Sequence, residues 1–126
     1  MNESEETTED PLDRALERDP RYPRAAYIFV ERALQFYRET HDRSGPGEHI
    51  SGPQLLEGVR ELALEEYGPM ARTVLNAWNL ERGEDVGEIV YNLIAVGLMS
   101  RTDEDKKEDF HGRMRFDEGM DRESSW

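Results

Sequence analysis

Along most of the middle of the chain, apolar residues return every three to four positions, the period of a helix with one buried side. The first such run is "PRAAYIFVERALQFYRET" (23–40). Pro23 suits the first helical position, because the donor it lacks would be orphaned there. At 100° per residue, Ala26, Phe29, Val30, Ala33, Leu34, Phe36 and Tyr37 fall on one wide face. Arg24, Glu31, Arg32, Gln35, Arg38 and Glu39 take the other side, with Ile28 among them. "DRSGPGEH" (42–49) then reads as a turn-rich loop.

A second helix starts at Ser51. Ser51 and Gln54 form an S-x-x-Q capping box, and Ile50 with Leu55 a hydrophobic staple across it. Leu55, Leu56, Val59, Leu62, Ala63 and Tyr67 supply the buried side, and Gly68-Pro69 ends the run. Pro69 opens a short third helix, "PMARTVLNAWNL", with Met70, Val74, Leu75 and Trp78 spaced for burial. A fourth begins at Asp85, where Asp85 and Glu88 form a D-x-x-E pair. Val86, Ile89, Val90, Leu93, Ile94 and Val96 make its inner face, and Gly97 ends it. Beyond it the period changes. In "DFHGRMRF", Phe110, Met114 and Phe116 alternate with His111, Arg113 and Arg115, as in a half-buried strand, and "LMSRT" is its partner across 103–108.

The expected fold is therefore mainly α, with four helices closed by a small C-terminal β-hairpin in the manner of a winged helix. An all-α bundle whose last segment is a further helix is the alternative. Residues 1–20 hold eight acidic and two basic residues. Such composition does not offset ordering entropy, so this segment is expected to be a largely disordered tail with a short helical turn at Leu12–Leu16. The domain is then 21–118, and 119–126 a flexible C-terminal tail. No stretch approaches the ~18 apolar residues of a membrane helix, and no signal peptide is legible, so a soluble cytoplasmic protein that does not engage membrane is expected.

Charge narrows the partners. The chain of 126 residues carries a formal net charge of −13, which repels nucleic acid and anionic membrane at long range. Its cations are 14 Arg and two Lys. Abundant carboxylate with scarce Lys resembles the composition of salt-adapted proteins. Cysteine is absent, which excludes disulfides, thiolate catalysis and Cys-ligated zinc.

Taken in order, "YPRAAYIFVERAL", "SGPQLLEGVRELALEEYGPMARTVLNAW", "DVGEIVYNLIAVGLMSRTDED" and "DFHGRMRFDE" resemble the Minf-type hypothetical proteins, a family of small bacterial proteins from Planctomycetes and Verrucomicrobia. The resemblance runs from about 21 to 118 and leaves out both tails. It implies no activity, cofactor or catalytic residue. The chain departs from the family mainly in its tails and its acidity.

Candidate chemistry is sparse. His41, His49 and His111 are scattered, and "HDRSGPGEH" lacks the i, i+4 spacing of paired metal ligands. Glu57, Glu61 and Glu65 repeat along the second helix but read as a solvated stripe, and Ser51 is better explained as a cap. Neither a catalytic set, nor a metal site, nor a cofactor is expected. Three surfaces remain. The outward face of the fourth helix is expected to present Glu88, Tyr91, Asn92 and Ala95 to a protein partner; Glu84, Asp85 and Glu88 at its start disfavour a DNA groove. The polar face of the first helix presents Arg24, Ile28 and Arg32, unless its arginines pair with the acidic tail or the second helix. The hairpin offers Arg101, Lys106, Lys107, Arg113 and Arg115, in a segment whose 102–111 stretch is net −3. The leading reading is a non-enzymatic protein-interaction module. The alternative is a nucleic-acid- or ribonucleoprotein-associated factor using Arg24, Arg32, Arg38 and the basic side of the hairpin. An enzyme is the third class.

Overall fold

A computed structural model of the chain describes residues 10–41 and 50–99. Among them lie five α-helices: α1 (Pro11–Arg18), α2 (Arg24–Thr40), α3 (Gly52–Tyr67), α4 (Ala71–Ala77) and α5 (Gly83–Ala95), with a 3₁₀ turn at Gly68–Met70 before α4. The domain is mainly helical, and no described helix is long and apolar enough to cross a membrane. The expected hairpin lies almost wholly outside the described residues. Only Leu98 and Met99 of its first strand fall within them, and both lie in a bend packed on the core.

The ends of the helices follow from their caps. Ser51 and Gln54 close the box: Gln54 N donates to Ser51 Oγ at 3.2 Å, and Ser51 N to Gln54 Oε1 at 2.9 Å. Ile50 and Leu55 on either side are both buried. At the end of α5, Gly97 has φ +86°, which glycine adopts without steric cost. Leu98 N bonds Leu93 O at 2.8 Å and Gly97 N bonds Ile94 O at 3.1 Å, the two bonds of a Schellman motif. Asn79 (φ +67°) ends α4 the same way: Leu80 N bonds Leu75 O and Asn79 N bonds Asn76 O, both at 2.9 Å. The Asn79 side chain also donates to Arg21 O at 2.7 Å.

One core joins all the helices. Ala26, Phe29, Val30, Ala33, Leu56, Val59, Leu75, Leu80, Val86, Ile89 and Leu93 are all buried within it. The α2–α3 crossing is the most extensive helix contact. It needs Gly58, where a Cβ would stand 2.9 Å from Ala33 O and 3.0 Å from Tyr37 Cβ. Trp78 packs its ring 5.4 Å from Phe29 and 6.2 Å, edge-on, from Tyr67.

Two expectations need correction. The N-terminal segment does not stay apart from the domain up to residue 20: α1 packs on α2 and α5, with Leu12 and Ala15 buried. Asp10 caps it, its Oδ1 accepting from Leu12 N at 3.0 Å, and Pro11 occupies the first helical position. The average polarity of 1–20 hides a short amphipathic helix inside it. Met70 is not buried but 55% exposed, because the 3₁₀ turn it ends changes the helical phase before α4 begins.

Candidate functional site

The face of α5 expected to meet a partner divides in two. Tyr91 is 45% exposed and Ala95, one turn on, is also exposed, while Glu88 is half-buried. Asn92 does not belong with them. It is 5% exposed and points inward, which corrects its placement on the outer face. Its position explains this: Asn92 stands three residues past Ile89, hence above it on the core-facing side of α5.

Inside, Asn92 ties three segments together. Its Nδ2 donates to Asp19 Oδ2 at 3.3 Å and to Tyr27 Oη at 3.2 Å, and its Oδ1 accepts from Arg18 Nε at 3.4 Å. Tyr27 Oη in turn donates to Asp19 O at 3.1 Å. The Asp19 carboxylate takes Arg21 Nε at 2.7 Å and Arg21 Nη2 at 2.6 Å. Those Arg21 bonds hold its carboxyl below the usual range against the opposing effect of burial, and Asn92 helps. Burial pushes the Tyr27 phenol up.

A second linkage fixes the start of α5. Tyr22, almost fully buried, donates its hydroxyl to Asp85 Oδ1 at 2.7 Å. Burial and that bond push the phenol far above its ordinary range. The other oxygen of Asp85 accepts from Glu81 N at 2.9 Å and Arg82 N at 3.0 Å. Both Asp85 oxygens are thus spent on structure, and the carboxylate complements the helix dipole. Arg21 continues from Asp19 towards the α5 ridge, its Nη2 3.6 Å from Glu88 Oε1 and its guanidinium 5.1 Å from the Tyr22 ring centre.

The arginines of α2 are engaged within the chain. Arg24 pairs with Asp10 and, at 2.7 Å, with Asp13; Arg32 pairs with Glu66 and stands 5.8 Å from the Phe29 ring centre. Arg38 is half-buried further along the helix. Ile28, 38% exposed, is the apolar residue left among them. Arg101, Lys106, Lys107, Arg113 and Arg115 lie outside the described residues. On α3, Glu57 pairs with Arg60, and Glu61 accepts from His41 Nε2 at 3.0 Å while His41 stacks on Tyr37 at 3.9 Å. Among the described residues, no group of three His, Asp or Glu side chains is placed to hold a metal ion.

The structure places Tyr91 and Ala95 on the outer side of α5 and Glu88 half-buried beside them, whereas sequence reasoning missed the partners of Asn92. Tyr22 and Tyr27 stood outside the buried face assigned from spacing, and Asp19 was assigned to the tail. Compared with protein-family models, curated proteins and solved structures, the chain shows no match.

Proposed function

We propose that the protein is a cytoplasmic, non-enzymatic interaction module that docks another protein on the outer ridge of α5. The scaffold is of winged-helix-like type. The observation that carries this reading is the exposure of Tyr91 beside the buried Asn92. A helix fixed through its inner side by Asn92 and Asp85 presents a large aromatic ring outward, with Ala95 one turn on and the Arg21–Glu88 pair beside it. Binding surfaces concentrate their energy in a few aromatic or Arg anchors inside a polar surround.

The Arg-bearing face of α2 is the weaker surface, because Arg24 and Arg32 already have carboxylate partners. The same pairs count against the nucleic-acid alternative, and Glu84 and Asp85 at the start of α5 would meet phosphate with like charge.

The test is affinity capture with the full chain at native salt, using the unsubstituted protein and a Tyr91→Ala/Ala95→Glu variant whose helical circular dichroism is unchanged. A defined protein recovered by the first and lost with the second supports the reading. Recovery that survives both substitutions moves the interface off the ridge. Recovery of RNA or DNA that falls steeply with salt favours the alternative.

A further inference from the structure

We propose that α1 is a detachable strap: it opens as a unit while α2 to α5 stay folded, and its release uncovers the side of α2 and α5 on which Leu12 and Ala15 sit. At eight residues α1 is shorter than the ~12–15 needed for marginal stability alone, so only its docking keeps it helical. That docking is slight in apolar terms. α1 buries Leu12 and Ala15 and rests the half-buried Leu16 on the core, whereas α3 buries Leu55, Leu56, Val59, Leu62 and Ala63.

The rest of the hold is mostly polar: inside, Tyr27 Oη reaches Ala15 O at 3.4 Å, and the other bonds lie nearer the surface. Arg24 grips Asp10 and Asp13 at the front of α1. Arg14 Nη2 donates to Val96 O at 3.3 Å, and Arg18 Nε to Asn92 Oδ1 at 3.4 Å. The exposed Arg24 pairs are screened by salt, as the Debye length falls from ~10 Å at 0.1 M to ~3 Å at 1 M.

Immediately downstream the chain is fastened differently. The Asp19 carboxylate is held by Arg21 and Asn92, its carbonyl by Tyr27, and Tyr22 is buried with its hydroxyl on Asp85. Opening therefore stops at Asp19, and the junction of Arg18 with Asp19 is the pivot. The strap needs no partner at the α5 ridge and stands apart from the docking proposal.

The absence of cysteine makes a clean test available. Ala15→Cys places a thiol under α1, and Ala33→Cys places a control thiol at the α2–α3 crossing; both alanines are 0% exposed. Alkylation rates are measured in the native state at about 0.05 M and about 1 M NaCl. The thiol at position 15 is expected to react at least about tenfold faster than that at 33, as a local opening does relative to global unfolding. Salt should accelerate it severalfold and leave position 33 unchanged. Arg24→Gln should produce the same acceleration at low salt. Equal rates at the two positions, or a position-15 rate indifferent to salt and to Arg24→Gln, overturn the proposal. Amide hydrogen exchange on the unsubstituted chain decides the matter if a thiol variant fails to fold. Residues 12–18 must exchange ahead of α3 and faster in salt, and exchange in step with α3 refutes the strap.

Discussion

Replacing Asn92 with alanine separates an interior tie from a surface contact. The substitution removes two donor bonds, to Asp19 Oδ2 and Tyr27 Oη, and one acceptor bond from Arg18 Nε. All three are long, between 3.2 and 3.4 Å, so each belongs at the lower end of the ~0.5–1.5 kcal/mol net worth of a hydrogen bond. The partners are not stranded, since Tyr27 keeps Asp19 O and Asp19 keeps Arg21. That limits the added desolvation penalty. A small void is left where the amide was, at roughly 1 kcal/mol. The sum is a loss of about 2–3 kcal/mol, where a substitution on an exposed surface stays within about 0.5 kcal/mol. Urea unfolding followed by circular dichroism reads it as a lower midpoint at constant slope. In a domain of this size the matching fall in Tm is on the order of 10–20 °C. Asn92→Asp should cost more at neutral pH, because it sets a second carboxylate against Asp19. An Asn92→Ala midpoint indistinguishable from that of the unsubstituted protein would refute the buried tie and return Asn92 to the outer face.

Gly58→Ala should destabilise by about 1–3 kcal/mol despite the ~1 kcal/mol helix-propensity gain, because the new Cβ meets backbone at Ala33 O; a raised urea midpoint would contradict the close approach. Tyr22→Phe should cost about 1–2 kcal/mol through the lost bond to Asp85, and spectrophotometric titration should show one fewer phenol resisting ionisation well above pH 10. Asp19 has a folded pKa below its ordinary 3.8, so its contribution is present above about pH 4 and lost as pH falls through the folded value. The stability gap between the unsubstituted protein and Asp19→Asn should therefore narrow below about pH 4, and a gap constant down to pH 2 would show that the carboxylate does not titrate with the fold.

The parts of the fold that were legible are those where one residue does one local job. Ser51 with Gln54, Gly68 and Gly97 mark helix ends by backbone chemistry that hardly depends on the rest of the molecule. Tertiary matters were harder to read. Asp10-Pro11 and the i, i+3, i+4 set Leu12, Ala15 and Leu16 spell a capped helix, but eight acidic residues in the first twenty obscure it. Gly58, inside an otherwise apolar-periodic helix, carried the signal of a close approach without naming the neighbour. Asn92 lay at a core-facing position by spacing, yet its polarity sent it outward, because its partners Asp19 and Tyr27 are 73 and 65 residues away in the chain. On α2, the arginines could be read either as a binding face or as internal partners of carboxylates, and only the fold brings Asp10, Asp13 and Glu66 to them.

The proposed docking role of the α5 ridge is tested most directly by placing a photo-crosslinking amino acid in living cells at position 91 or 95, and separately at Glu65 of α3 or Ala77 of α4, which are also exposed. The account predicts one discrete crosslinked protein from 91 and 95 and none from 65 and 77. The same product from all four positions, or products from 65 and 77 alone, would contradict it.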